Sequence, residues 1–94
     1  MRKFEAPPPT ISLSRGAAGP ISGSYWYSVT LTNFAPNSTV GVQCNDSVDL
    51  DFWPPASITV DGSGRGGNSR LCYSADGPGH WVTGGGAQSN TVNW

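Results

Sequence analysis

Tyr25-Trp26-Tyr27-Ser28-Val29-Thr30-Leu31-Thr32-Asn33-Phe34 is the clearest signal in the chain. Tyr25, Tyr27, Val29 and Leu31 fall on one side of it. Trp26, Ser28, Thr30 and Thr32 fall on the other. A sustained period of two is what a half-buried antiparallel strand requires. Taking the Tyr27 side as the core puts Trp26 on the outer face, among hydroxyls.

Upstream, Thr10-Ile11-Ser12-Leu13-Ser14 alternates in the same way and predicts a short strand ending at Arg15-Gly16. Residues 15–24 hold Gly16, Gly19, Pro20 and Gly23 and read as a loop. Downstream, Ala35-Pro36-Asn37-Ser38 is a turn, and residues 39–45 form a strand with Val40, Val42 and Cys44 inward. Residues 46–53 are expected to hold a short edge strand, which Pro54-Pro55 ends because proline cannot join a central ladder. Residues 57–61 make another strand, 62–68 a flexible hairpin tip, and 70–74 a strand carrying Cys72. Asp76-Gly77-Pro78-Gly79 is a strong turn. Residues 80–83, the Gly84-Gly85-Gly86 turn and residues 89–94 complete a last hairpin.

Composition agrees. Val, Ile, Thr, Phe, Tyr and Trp number 27, whereas Leu occurs four times and Glu, Lys and Met once each. Gly and Pro total 21 of 94 residues and are spread along the chain, leaving few windows for a helix of three turns. The expected architecture is all-β: one two-sheet antiparallel β-sandwich, immunoglobulin-like, with seven or eight short strands. Residues 10–94 form the domain. Residues 1–9, with Pro7-Pro8-Pro9, read as a Pro-rich linker, and so the chain is expected to be part of something larger.

Charge excludes several functions. Only 12% of residues are charged and the net charge is −1. A nucleic-acid binder needs a basic face to displace counterions, so no nucleic-acid partner is expected. No apolar run approaches the ~20 residues that span a bilayer, and no direct membrane insertion is expected. Met1-Arg2-Lys3-Phe4 lacks the apolar stretch of a signal peptide.

Cys44 and Cys72 have only His80 as a companion for metal, and a structural zinc needs about four ligands. A disulfide is the simple reading, and it implies an oxidising compartment. Cys44 closes an inward-pointing set and Cys72 lies in a later strand, so the bond is expected to join strands in the core. No cofactor is expected.

One resemblance adds to this reading. It rests on Ser12-Leu13-Ser14-Arg15-Gly16, on the stretch from Tyr27 to Val40, on Cys44 and Cys72-Tyr73, and on Ser89-Asn90-Thr91-Val92-Asn93-Trp94. These resemble the small Ig-like β-sandwich modules of actinobacterial secreted and surface proteins and of their phages. The resemblance covers about residues 10–94. It implies an accessory or adhesion-type module, extracellular or on a cell or virion surface, with no catalytic residues to carry over.

The residues that could carry chemistry each have a plainer reading. His80 follows a Gly-Pro-Gly turn, and no Gly-x-Ser-x-Gly elbow exists, so it reads as an ordinary surface or edge residue and no enzyme is expected. Asp46, Asp49 and Asp51 could offer oxygens to Ca²⁺, but the loop is not an EF-hand and reads better as a solvated acidic edge. Trp26, Trp53, Trp81 and Trp94 are the candidate contacts for a ligand or partner. If they formed one exposed strip they would suit a sugar, because ring faces stack on sugar C–H groups. The expected function is therefore a spacer, presentation or partner-binding module; the alternative is a carbohydrate- or cell-wall-binding module of the same fold. Asn37-Ser38-Thr39 and Asn45-Asp46-Ser47 match the N-glycosylation pattern, which matters only in a eukaryotic secretory setting.

Overall fold

The computed structural model describes residues 8–47, 54–77 and 79–94. These form eight strands and no helix: β1 (Thr10–Ala18), β2 (Ser24–Thr32), β3 (Thr39–Asp46), β4 (Ala56–Thr59), β5 (Gly66–Asn68), β6 (Tyr73–Ala75), β7 (His80–Gly84) and β8 (Ala87–Gln88). The first sheet runs β1-β2-β5, with β6 pairing β2 beyond β5. The second runs β4-β3-β7-β8. Every pairing is antiparallel. The expected sandwich is therefore the observed one.

The alternation in β2 sets its core. Tyr27, Val29 and Leu31 are buried, and across the ladder Leu13 pairs with Val29 and Ile11 with Leu31. Val40, Val42 and Cys44 of β3, Ile58 of β4 and Val82 of β7 face them from the second sheet, joined by Phe34, Val60 and Cys72. The disulfide Cys44–Cys72 spans a sequence separation of 28 and ties the second sheet to the first. On the chain-entropy model a loop of this size stabilises by about 3–4 kcal/mol.

Four boundaries differ from expectation, each for a local reason. β1 does not stop at Arg15; it continues to Ala18 through an irregularity in register. Glycine permits this, because a Cβ on Gly16 would lie 3.0 Å from the Trp26 carbonyl oxygen and 3.2 Å from that of Ser69. The hairpin tip at 62–68 contains β5, which lines up Gly66, Gly67 and Asn68 against Leu31, Thr30 and Val29. Cys72 lies just before β6 rather than inside it, though its carbonyl still accepts from Tyr27 N–H at 2.7 Å. Residues 89–94 form no strand: Val92 makes a single bridge to His80, Ser89 N–H donates to the Val82 carbonyl, and Trp94 exchanges backbone bonds with Gly77. The edge strand expected within 46–53 lies largely outside the described residues, as does most of the Pro-rich linker.

Turn chemistry fixes the apolar end. Gly64 has φ +79°, and any Cβ there would collide with the Phe34 carbonyl. Its own carbonyl accepts from Phe34 N–H at 3.2 Å. Asp61 Oδ1 accepts from Ser63 N–H, Ser63 Oγ and Arg65 N–H, an Asx turn that holds its carboxyl below the usual carboxylate range.

Candidate functional site

The two sheets enclose a polar group at the end opposite Phe34. Tyr27, at 0% exposure, donates its hydroxyl to the Asn45 carbonyl at 2.8 Å. Burial, and next the charge of Asp46, push the Tyr27 hydroxyl far above the ordinary phenol range; a hydrogen bond with Ser74 works the other way. Ser74 Oγ donates to Asp46 Oδ2 at 2.8 Å. His80 is opposite Asp46 in register and stacks on Trp94 at 3.6 Å with 4° between the rings. Trp94 Nε1 donates to the Ser74 carbonyl at 3.2 Å, and the Trp94 ring meets Tyr27 edge-on at 5.0 Å.

Two sequence expectations are corrected here. His80 is no surface residue: it is 1% exposed, between the Val92 carbonyl (3.0 Å from Nδ1) and the Ala75 carbonyl (3.2 Å from Nε2). Asp46 is not part of a solvated edge, since it is 8% exposed and bonded to Ser74. Asp49 and Asp51 lie outside the described residues, among which no group of three His, Cys, Asp or Glu could hold a metal.

Ser74, Asp46 and His80 are thus neighbours, but their connectivity is not that of a hydrolytic triad. A triad turns one histidine nitrogen to the nucleophile and the other to the acid. Here the serine hydroxyl donates to the aspartate, and both histidine nitrogens face backbone carbonyls. The group ties β2, β3, β6, β7 and the 92–94 segment together.

The tryptophans do not gather into one strip. Trp26 is half-buried on the outer face of the first sheet, where it meets Tyr73 edge-on at 5.1 Å. The Arg70 guanidinium lies 5.9 Å from its ring centre. Trp81 alternates with buried His80 and Val82 and so belongs to the outer face of the second sheet. Trp94 packs inward against the core. Trp53 lies outside the described residues.

Beside Trp26 stands a hydroxyl array. Thr10, Ser12 and Ser14 of β1 pair directly with Thr32, Thr30 and Ser28 of β2. The alternation places all six on the outer face. Gly67 continues the row past Thr30 with no side chain.

The sequence reading missed Ser89 and Asn90 as structural residues. Ser89 Oγ accepts from Val82 N–H at 2.8 Å, and the Asn90 carboxamide bonds both the N–H and the C=O of Leu13. A Ser-Asn pair after a glycine turn hints at local backbone bonding, but its partner 77 residues away leaves no mark in sequence. Of the two glycosylation patterns, Asn37 is exposed in its turn, whereas Asn45 is buried and donates to the Gln43 carbonyl at 3.2 Å. Comparison with family models, with curated proteins and with solved structures found no match to this chain.

Proposed function

We propose that this chain is a non-catalytic, extracellular Ig-like module, appended to a larger surface, secreted or virion protein as a spacer, presentation or partner-binding domain. The observation that supports it is the use of the reactive side chains: Tyr27, Asp46, Ser74 and His80 are bonded to one another or to backbone across both sheets, and the two cysteines bond each other. These residues hold the fold and leave the faces and loops for contact. The disulfide supports an oxidising compartment. The test is to assay the oxidised chain on chromogenic ester, glycoside, phosphate and peptide substrates, and then to melt it with and without reductant. No turnover and a lower melting temperature in reductant are expected. Turnover abolished by Ser74→Ala or His80→Ala would overturn the reading.

A second reading, carbohydrate or cell-wall binding, is favoured by one specific observation. The Trp26–Tyr73 pair adjoins six paired hydroxyls on a face whose nearby charge is Arg70. Aromatic faces and hydroxyls together complement a polyhydroxylated chain. Retention on insoluble polysaccharide that is lost in Trp26→Ala and kept in Trp81→Ala would support it; equal retention of both variants counts against it.

A further inference from the structure

Among the described residues β1 is an edge strand that pairs with β2 alone. In an antiparallel ladder, alternate residues turn their N–H and C=O away from the partner strand. Tyr27 uses its N–H and C=O toward Cys72 and Leu71, on the side of β2 remote from β1. Its register partner Arg15 therefore points its own backbone outward, and by alternation so do Leu13 and Ile11.

An outward row of backbone groups on a nine-residue edge is a template for another chain. β1 contains no Lys, Glu, Asp or Pro, Arg15 is its one charge, and its register irregularity lies beyond Arg15, outside the Ile11–Arg15 stretch. The opposite case is β4 in the second sheet, which Pro54-Pro55 precedes.

The middle of the β1 edge is nevertheless occupied. Asn90 Oδ1 accepts from Leu13 N–H at 2.8 Å, and Asn90 Nδ2 donates to the Leu13 carbonyl at 3.0 Å. These are the two bonds that a residue of a neighbouring strand would make, supplied by one carboxamide. Asn90 is held in place from both sides. Ser89 bonds Val82 through both its N–H and its Oγ. Val92 exchanges backbone bonds with His80 at 2.8 and 2.9 Å.

We propose that Asn90 is a side-chain plug on the β1 edge, and that the partner it excludes is a second copy of this chain, added β1 to β1. Antiparallel pairing about a two-fold at Leu13 sets Ser12 against Ser14 and Ile11 against Arg15 of the other copy. No like charges meet, and the hydroxyl row runs on across the junction. The plug thus keeps apart modules whose edges fit one another, which matters most where identical modules are held at high local concentration.

The test uses the full 94-residue chain. Sedimentation equilibrium should give the native protein one molar mass at every concentration. Asn90→Ala should rise with concentration toward a twofold mass. The double variant Asn90→Ala with Arg15→Pro should return to the monomer, because proline deletes an outward N–H and is tolerated on an edge. An Asn90→Ala protein that melts cooperatively yet stays monomeric would overturn the proposal, as would a native protein that dimerises. Hydrogen exchange on the native chain is independent of how the variants fold. The Leu13 amide should exchange at least about tenfold more slowly than those of Ile11 and Arg15. Equal rates at the three positions would remove the plug.

Discussion

The two ends of this sandwich are held by different physics. At one end Phe34, Val40, Ile58, Val60 and Leu31 close the core with apolar area, and the directed bonds lie outside it in the turns at Asp61 and Gly64. At the other, Tyr27, Asp46, Ser74, His80 and Trp94 are joined by directed bonds and stacked rings, next to the disulfide. Apolar burial is non-directional and tolerates many side chains of similar volume. A buried polar group favours one geometry, because each unmet donor or acceptor carries a desolvation cost. The apolar end therefore stabilises through buried area, and the polar end fixes how the sheets and the last residues sit on each other.

Four substitutions probe this division, from the largest expected effect to the smallest. Leu31→Ala removes a side chain at 0% exposure from the apolar end. It should cost about 3–5 kcal/mol in urea unfolding. A loss below that of any polar-end variant would reverse the assignment. Cys44→Ala releases the 28-residue closure and should cost about 3 kcal/mol. Non-reduced native protein should also lack two protons' mass relative to the reduced chain, and finding two free thiols in oxidised protein would contradict the bond.

Tyr27→Phe keeps the ring and deletes the hydroxyl bonded to Asn45. It should cost about 1–2 kcal/mol near neutral pH, since the Asn45 carbonyl loses its donor. Its sharper signature lies in the pH profile. The folded state holds the Tyr27 proton to a higher pH than the unfolded chain, which releases it near the ordinary value of about 10. Above that pH the unfolded chain binds fewer protons than the folded one, so stability falls as pH rises; below it the contribution is fully present. Tyr27→Phe should flatten that alkaline fall, and an unchanged slope would place its origin elsewhere. Trp26→Ala, on the outer face, should change stability by less than about 1 kcal/mol, against 3–5 for a buried tryptophan. A loss of several kcal/mol would mean that Trp26, under Tyr73 and Arg70, belongs to the core.

The inward alternation was legible, from Leu31 at the apolar end to Tyr27 at the polar end. The alternation of Tyr27, Val29 and Leu31 against Trp26, Ser28 and Thr30 is a local pattern, and it reported both the strand and its inner face correctly. Cys44 followed from its own inward set with Val40 and Val42, and Cys72 from being the one other cysteine of the chain. The directed bonds of the polar end were not legible, because His80 and Asp46 owe their burial to residues far away. His80 is covered by Val92, Trp94 and Ala75, and Asp46 is satisfied by Ser74. No period in the sequence records such pairings. β5 was missed for another reason: Gly66 and Gly67 carry no side chains from which an alternation could be read. Asn90 was invisible as a plug because a carboxamide bonded to a strand edge resembles, in sequence, any asparagine in a turn.

The cross-link between Cys44 and Cys72 also has a mechanical meaning. When the chain is pulled along its backbone, tension entering through β1 and leaving through residue 94 crosses directly from one sulfur to the other. The residues between the cysteines carry no load, so β4, β5 and the Asx turn at Asp61 stay outside the path of force. Unfolding under load can then release only the chain outside that loop. With a sequence separation of 28 and ~3.4 Å per extended residue, the bond withholds roughly 95 Å of contour length. Under oxidising conditions a domain so tied stretches less than its residue number allows, and reduction restores the hidden length.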